Sequence, residues 1–376
     1  MCNRIALPVL LLVLVLKSAP AASYEVTDKL SFGGILAGAY QYQVLGDSSP
    51  GYEDKGRGAV PFQLEISYTP TPSNELFAKF GFAAGNGLND GTSPFYLATS
   101  PFYLAPWAAT LEDDVKDING RNRDYLLTAW YKHIFTFAGE QQLALTGGII
   151  DATDYLDENA YSNDEYTQFM NEALVNGPQG FLPSFDIGGA AEWEYNQFAI
   201  KGVAMNVGEN DDGKNYNYYG VQFSYAMESG LGEGNYRAIF NITSEDFLNP
   251  AGTETERLNA FLLSFDQELG DIFGAWIRFG WANDDAARDW KSLYSGGINI
   301  KGSGWQRPDD TIGIGYGFLD GGNMGIDNTQ VFETYYRYAV NEFLAASADI
   351  QYMKDSMEVG GDTDGWIFGV RLTTEF

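Results

Sequence analysis

The sequence predicts an all-β fold: a transmembrane antiparallel β-barrel of about sixteen strands, with long extracellular loops folding inward. Three observations predict it. After an export-type leader, no apolar run approaches the roughly 20 residues that a membrane-spanning helix needs. Aromatic residues make up 15% of the chain, with 24 Tyr, 25 Phe and 44 Gly, while charged residues reach only 19%. Barrels favour that mixture, because aromatic girdles mark both interfaces and the strands alternate apolar with small polar residues. Finally, apolar and polar residues alternate with period 2 in many short segments.

The leader comes first. Arg4 supplies a positive n-region, Ile5 to Leu16 an apolar core, and Ala19-Pro20-Ala21 a small-x-small cleavage pattern. Residues 1–21 are therefore expected to be a signal peptide, with cleavage extending at most to residue 23, and 22–376 the barrel domain. Cys2 is the only cysteine and leaves with the leader, so the mature chain is expected to have no thiol chemistry.

The final segment alternates most clearly. Trp366, Phe368, Val370, Leu372, Thr374 and Phe376 share one face; Ile367, Gly369, Arg371, Thr373 and Glu375 share the other. An apolar face meets lipid and a polar face meets a wet lumen. A C-terminal Phe376 after such a strand is expected to be the signal read by the barrel-assembly machinery. Similar alternation marks Val60–Tyr68, Phe273–Gly280, Ile312–Phe318, Phe332–Tyr338 and Leu344–Tyr352. The candidate strands are 28–44, 60–69, 75–84, 123–137, 141–150, 186–196, 198–208, 216–227, 235–243, 257–267, 272–282, 294–302, 310–318, 330–339, 344–353 and 364–376. Barrels of that size enclose an aqueous channel, and glycines on the interior faces are expected to leave it open. Connections alternate short and long. The two longest, 85–122 and 151–185, are longer than structureless connections usually run, so they are expected to carry function. The first contains Pro94-Phe95-Tyr96 and the near-repeat Pro101-Phe102-Tyr103; in the second, Asp164 to Asn176 has helical spacing, with Gly177-Pro178 as a stop.

The formal net charge is −29, and losing Arg4 and Lys17 with the leader makes it −31. That charge opposes nucleic-acid binding. The acidic residues gather in turn-like stretches, either as solvated loop charge or as a vestibule that favours cations. Catalysis is not expected. His133 is the only histidine and lies among aromatic residues in a strand, where an interfacial role suits it better than a Ser-His site. Zinc sites need more His and Cys. Asp211-Asp212-Gly213 and Asp362-Thr363-Asp364-Gly365 lack the bidentate Glu of a calcium loop and read as turns. No metal and no cofactor are expected.

One set of segments is more specific. Gly148 to Asp164, with Thr167-Gln168-Phe169, resembles the carbohydrate-selective outer-membrane porins, the OprB-type family. So do Phe265-Asp266-Gln267-Glu268-Leu269, the strand Ala275 to Gly280, Arg307-Pro308-Asp309-Asp310, Glu333-Thr334-Tyr335-Tyr336-Arg337 and Asp349-Ile350-Gln351-Tyr352. The resemblance runs from about residue 140 to the end. It implies a sixteen-stranded diffusion channel in the bacterial outer membrane, narrowed by an inward-folded loop and passing sugars and similar small solutes. Such a protein would sit in the lipid bilayer beside lipopolysaccharide, as a monomer or a homotrimer.

A sugar shedding hydration needs replacement donors and acceptors, and its C–H face rides on aromatic rings. Arg278, Arg337, Arg371, Glu65, Glu333 and Asp349 fall on polar strand faces; arginine forks with carboxylates would make a polar eyelet. Trp276 and Tyr335 share those faces as possible aromatic platforms. The bland alternative is a ladder of salt bridges that only stiffens the wall. Arg307 either lines the channel or pins a turn. Asp151 and Asp154 either line the constriction or cap the segment that follows. The competing functions are a cation-preferring general porin and, from other classes, a barrel enzyme or an adhesin.

Overall fold

The computed structural model describes residues 24–46, 52–89, 101–139 and 141–376. The predicted signal peptide and Pro94-Phe95-Tyr96 lie outside them. Sixteen long strands form the wall among the described residues. They are β1 (Leu30–Leu45), β2 (Lys55–Thr71), β3 (Asn74–Ala84), β4 (Leu126–Thr136), β5 (Gln142–Ile150), β6 (Asp186–Tyr195), β7 (Phe198–Val207) and β8 (Tyr216–Ser229). There follow β9 (Gly232–Thr243), β10 (Asn259–Leu269), β11 (Phe273–Ala282), β12 (Trp290–Lys301), β13 (Thr311–Gly321), β14 (Ile326–Ala339), β15 (Leu344–Met357) and β16 (Thr363–Glu375). Each pairs antiparallel with the next, and β16 closes on β1 from Gly365↔Leu45 to Glu375↔Ile35. Closure leaves no unpaired edge, the condition for crossing lipid with strands. All sixteen segments expected from alternation are present.

The pleat sorts side chains as the pattern predicts. On β16, Trp366, Phe368, Val370 and Leu372 are exposed on the outside, while Ile367, Gly369, Arg371 and Thr373 are buried inside. Tyr195, Phe198 and Tyr338 mark the outer wall at the short-turn end, and Tyr42, Trp281 and Trp366 mark it near the long loops. Two grooves of about 590 and 650 Å³ lie on this outer wall, among Phe240 and Phe261 and among Tyr336 and Val370; they face lipid. His133 also lies on the outward side, at the short-turn rim, 2.9 Å from the Asn74 amide oxygen and edge-on to Phe135.

The expected helix at Asp164 to Asn176 is not formed. One turn closes from Asp164 O to Gln168 N at 2.9 Å, and a 3₁₀ turn follows at Glu172–Leu174. The amides between are used elsewhere: those of Met170 and Asn171 donate to Glu333 on the wall, so they cannot continue a helical ladder.

Candidate functional site

The interior is occupied by two loops. Loop 151–185 leaves β5, runs along the wall, and returns to β6. Charged wall residues hold it at three points. Arg278 on β11 and Asp157 on the loop form an ion pair at 2.8 Å, with both side chains 0% exposed. Arg278 also donates to the Ser162 carbonyl at 2.9 Å. Glu333 on β14 accepts the amides of Met170 at 2.6 Å and Asn171 at 2.9 Å. Arg371 on β16 donates to the carbonyls of Glu165 at 2.7 Å and Gln168 at 2.9 Å. Phe169 packs edge-on between Trp276 and Tyr335, with centroids 5.6 and 5.1 Å away. Buried charge is costly unless paired, so these contacts fix one loop path.

The first long loop, 85–125, packs on the second over its described part. The Trp107 indole donates to Glu165 O at 3.0 Å, and Ala108 N donates to Met170 O at 2.8 Å. Gln41 and Gln351 both donate to Pro106 O, at 3.1 and 2.9 Å.

Of the residues expected to line the channel, Arg278, Arg371, Glu333, Asp349, Trp276 and Tyr335 are all buried between wall and loop. They are on the inward faces, as the pattern requires, but the loop covers them. The structure thus corrects their expected exposure: they are buried, and Arg278, Arg371, Glu333, Trp276 and Tyr335 contact the loop that covers them. The interior glycines need the same correction. A Cβ at Gly315 would lie 2.9 Å from Phe169, one at Gly280 1.9 Å from Gln179, and one at Gly274 2.2 Å from Tyr161. These glycines make room for the loop instead of leaving the lumen empty. Arg307 pins a turn at the short-turn end. Its guanidinium donates to Asp310 and to Ala339 O and lies 3.9 Å from the Tyr338 ring centre. The hydrogen bond from Arg307 is the chief cause holding the Asp310 carboxyl well below its usual range.

The remaining inward face, on β2, β3, β4, β6 and β7, carries charge in pairs. Glu65 meets Lys79 at 3.1 Å, Lys132 meets Glu192 at 3.1 Å, and Lys201 meets Glu192 at 3.4 Å and also Glu158 from the loop. Lys132 is also held over the Trp130 and Tyr155 rings, at 5.5 and 5.6 Å. Sequence reasoning missed Lys79, Lys132, Glu192 and Lys201; their inward positions were readable from strand alternation. Facing this wall, loop residues Asp151, Asp154, Asp164 and Glu165 join Glu65, Lys79 and Glu375 around a polar cavity of about 320 Å³. Arg337 pairs with Glu375 at 2.9 Å at its lower edge. Asp151 caps the 3₁₀ turn Ala152–Asp154, its side chain accepting from Thr153 N at 2.9 Å. Burial, then the neighbouring Asp154 charge, pushes Asp151 up to about 6. Burial, then Asp164, pushes Glu165 up to about 8.

A closed barrel with an apolar outer wall and a polar interior narrowed by fixed loops is a porin of the outer-membrane type. Comparison with known proteins agrees: residues 109–376 match the model of the "carbohydrate-selective porin, OprB family", and the chain belongs to that family. It is a channel for passive solute diffusion, not an enzyme. An uncharacterised protein of Aquifex aeolicus is 29% identical over 276 residues, covering 72% of this chain and 75% of that protein. Among solved structures, the high-pH structure of Pseudomonas putida OprB superposes with a TM-score of 0.73 at 13% identity, covering 93% of this chain and 94% of that one. The outer-membrane channel DcaP of Acinetobacter baumannii gives 0.55 at 10% identity, covering 94% and 100%.

Proposed function

We propose that the chain passes carbohydrates and similar small polar solutes along the charged inward face of β2, β3, β4, β6 and β7. The observation that carries this reading is the fixed Glu65–Lys79 pair on that wall faced by loop carboxylates around a polar cavity. A solute losing part of its water there meets both donors and acceptors, so a buried desolvation loss is offset in transit. None of the contacts encloses the solute, and a weak site lets it leave. We further propose export by a leader at 1–21, assembly through Phe376, and contact of the long-loop end with lipopolysaccharide.

The acidic surplus around the cavity favours a second reading, a cation-preferring general porin. Purified protein in planar bilayers separates the two. Conductance that falls in a saturable way as glucose or maltose is added supports the sugar channel; strong cation selectivity with no sugar effect supports the general porin.

A further inference from the structure

We infer that the passage discriminates among sugars by charge, favouring cationic amino sugars over acidic ones, and that Asp154 sets this preference. The inference rests on the passage described above and names its solute class more closely. The wall charges are already spent. Lys79 is paired with Glu65, and Lys132 with Glu192 while lying over two rings. Lys201 faces two carboxylates, Glu158 and Glu192. Lys79, Lys132 and Lys201 are thus each held by a carboxylate.

The loop side differs. Asp154 is exposed, and its carboxylate has no hydrogen-bond or ion-pair partner among the described residues. Its neighbour Asp151 instead spends an oxygen on Thr153 and Ser184. Asp154 lines the same polar cavity as Glu65 and Lys79. Its anchoring turn is rigid, because Tyr155 and Leu156 are buried against β6–β8. A fixed carboxylate opposite a neutralised wall gives a negative potential along the path. A protonated amine on a sugar gains an acceptor at Asp154, while its hydroxyls use the wall pairs. A uronate brings a like charge to the same point, where the cation lining the cavity, Lys79, is already held by Glu65.

Swelling of liposomes containing the full-length protein, at pH 7, tests this with glucose, glucosamine hydrochloride and sodium glucuronate. The wild type is expected to admit glucosamine several-fold faster than glucuronate, with glucose between, each rate taken relative to glucose in the same preparation. Asp154→Asn should bring the glucosamine-to-glucuronate ratio close to one, and Asp154→Lys should invert it. Asp320→Asn removes the same charge from the outward side of β13, where Asp320 pairs with Lys291, and should leave the ratio alone. The inference is overturned by a wild-type ratio near one, by no response to Asp154→Asn, or by an equal response to Asp320→Asn. If glucose enters without charge discrimination, only this inference fails; if no sugar enters, the sugar-channel reading fails with it.

Discussion

At the scale of single residues, two loop carboxyls stand out because burial lifts both above the ordinary carboxylate range. Glu165 faces Asp164, Asp151 and Lys79; Asp151 faces Asp154 and Lys79. Burial raises them to about 8 and about 6, against an ordinary carboxylate range near 4. A raised acid pKa means that the fold prefers the neutral form. The lumen therefore loses negative charge as pH falls through about 8 and then about 6, and the associated stabilisation is lost as pH rises through the same values. Reversal potentials in a KCl gradient should show cation preference growing from pH 5 to pH 9, with most of the change above pH 5. A single step near pH 4 would contradict these assignments. Glu165→Gln should remove the upper step and leave the lower one.

The element that packs against the inner wall is loop 151–185, and its anchors belong to that scale. Arg278 and Asp157 are buried together, so removing one strands the other. The expected cost of Arg278→Met is about 3–5 kcal/mol, the usual penalty for an uncompensated buried charge. The double variant Arg278→Met, Asp157→Leu should lose much less, because no lone charge remains. Urea unfolding of detergent-solubilised protein measures both. Single-channel conductance should also rise or become noisy in Arg278→Met as the loop loosens; unchanged current would detach this pair from the constriction. Alternation placed Arg278, Glu333, Asp349 and Arg371 on inward faces, and they are inward. Period 2 tells which face a residue joins, but not what lies over that face. The covering segment comes from over a hundred residues away in chain order for Arg278, and no local pattern reports such a partner. The interior glycines misled for the same reason: Gly315 has no side chain because Phe169 and Leu174 fill its place. The loop's helical spacing misled because wall carboxylates compete for its amides. Strand ends beyond the lipid, such as 55–59 of β2, lacked outward apolar residues and were missed.

For the whole molecule, the barrel's wall was legible because lipid outside and water inside impose opposite demands on alternate residues, strand after strand. Charge balance was legible too, but its location was not. The chain holds 51 acidic and 22 basic residues, and folding brings Asp151, Asp154, Asp164 and Glu165 of that excess to the loop side of one polar cavity. The resulting field acts through water, so mobile ions screen it. The screening length is about 30 Å at 0.01 M salt and about 3 Å at 1 M. Direct contacts between a neutral sugar and the wall pairs span only hydrogen-bond distances and escape that screening. The two parts of the proposed selectivity should therefore separate with salt. Raising KCl from about 0.01 M to about 1 M should bring the cation-to-anion permeability ratio close to one. The glucose permeation rate, measured in liposomes over the same range at matched osmolarity, should change little. If both fell together, the sugar would be following the long-range field instead of the local pairs. If neither changed, the charges would be too well neutralised to shape the passage, and the acidic excess would belong to the outer loops alone.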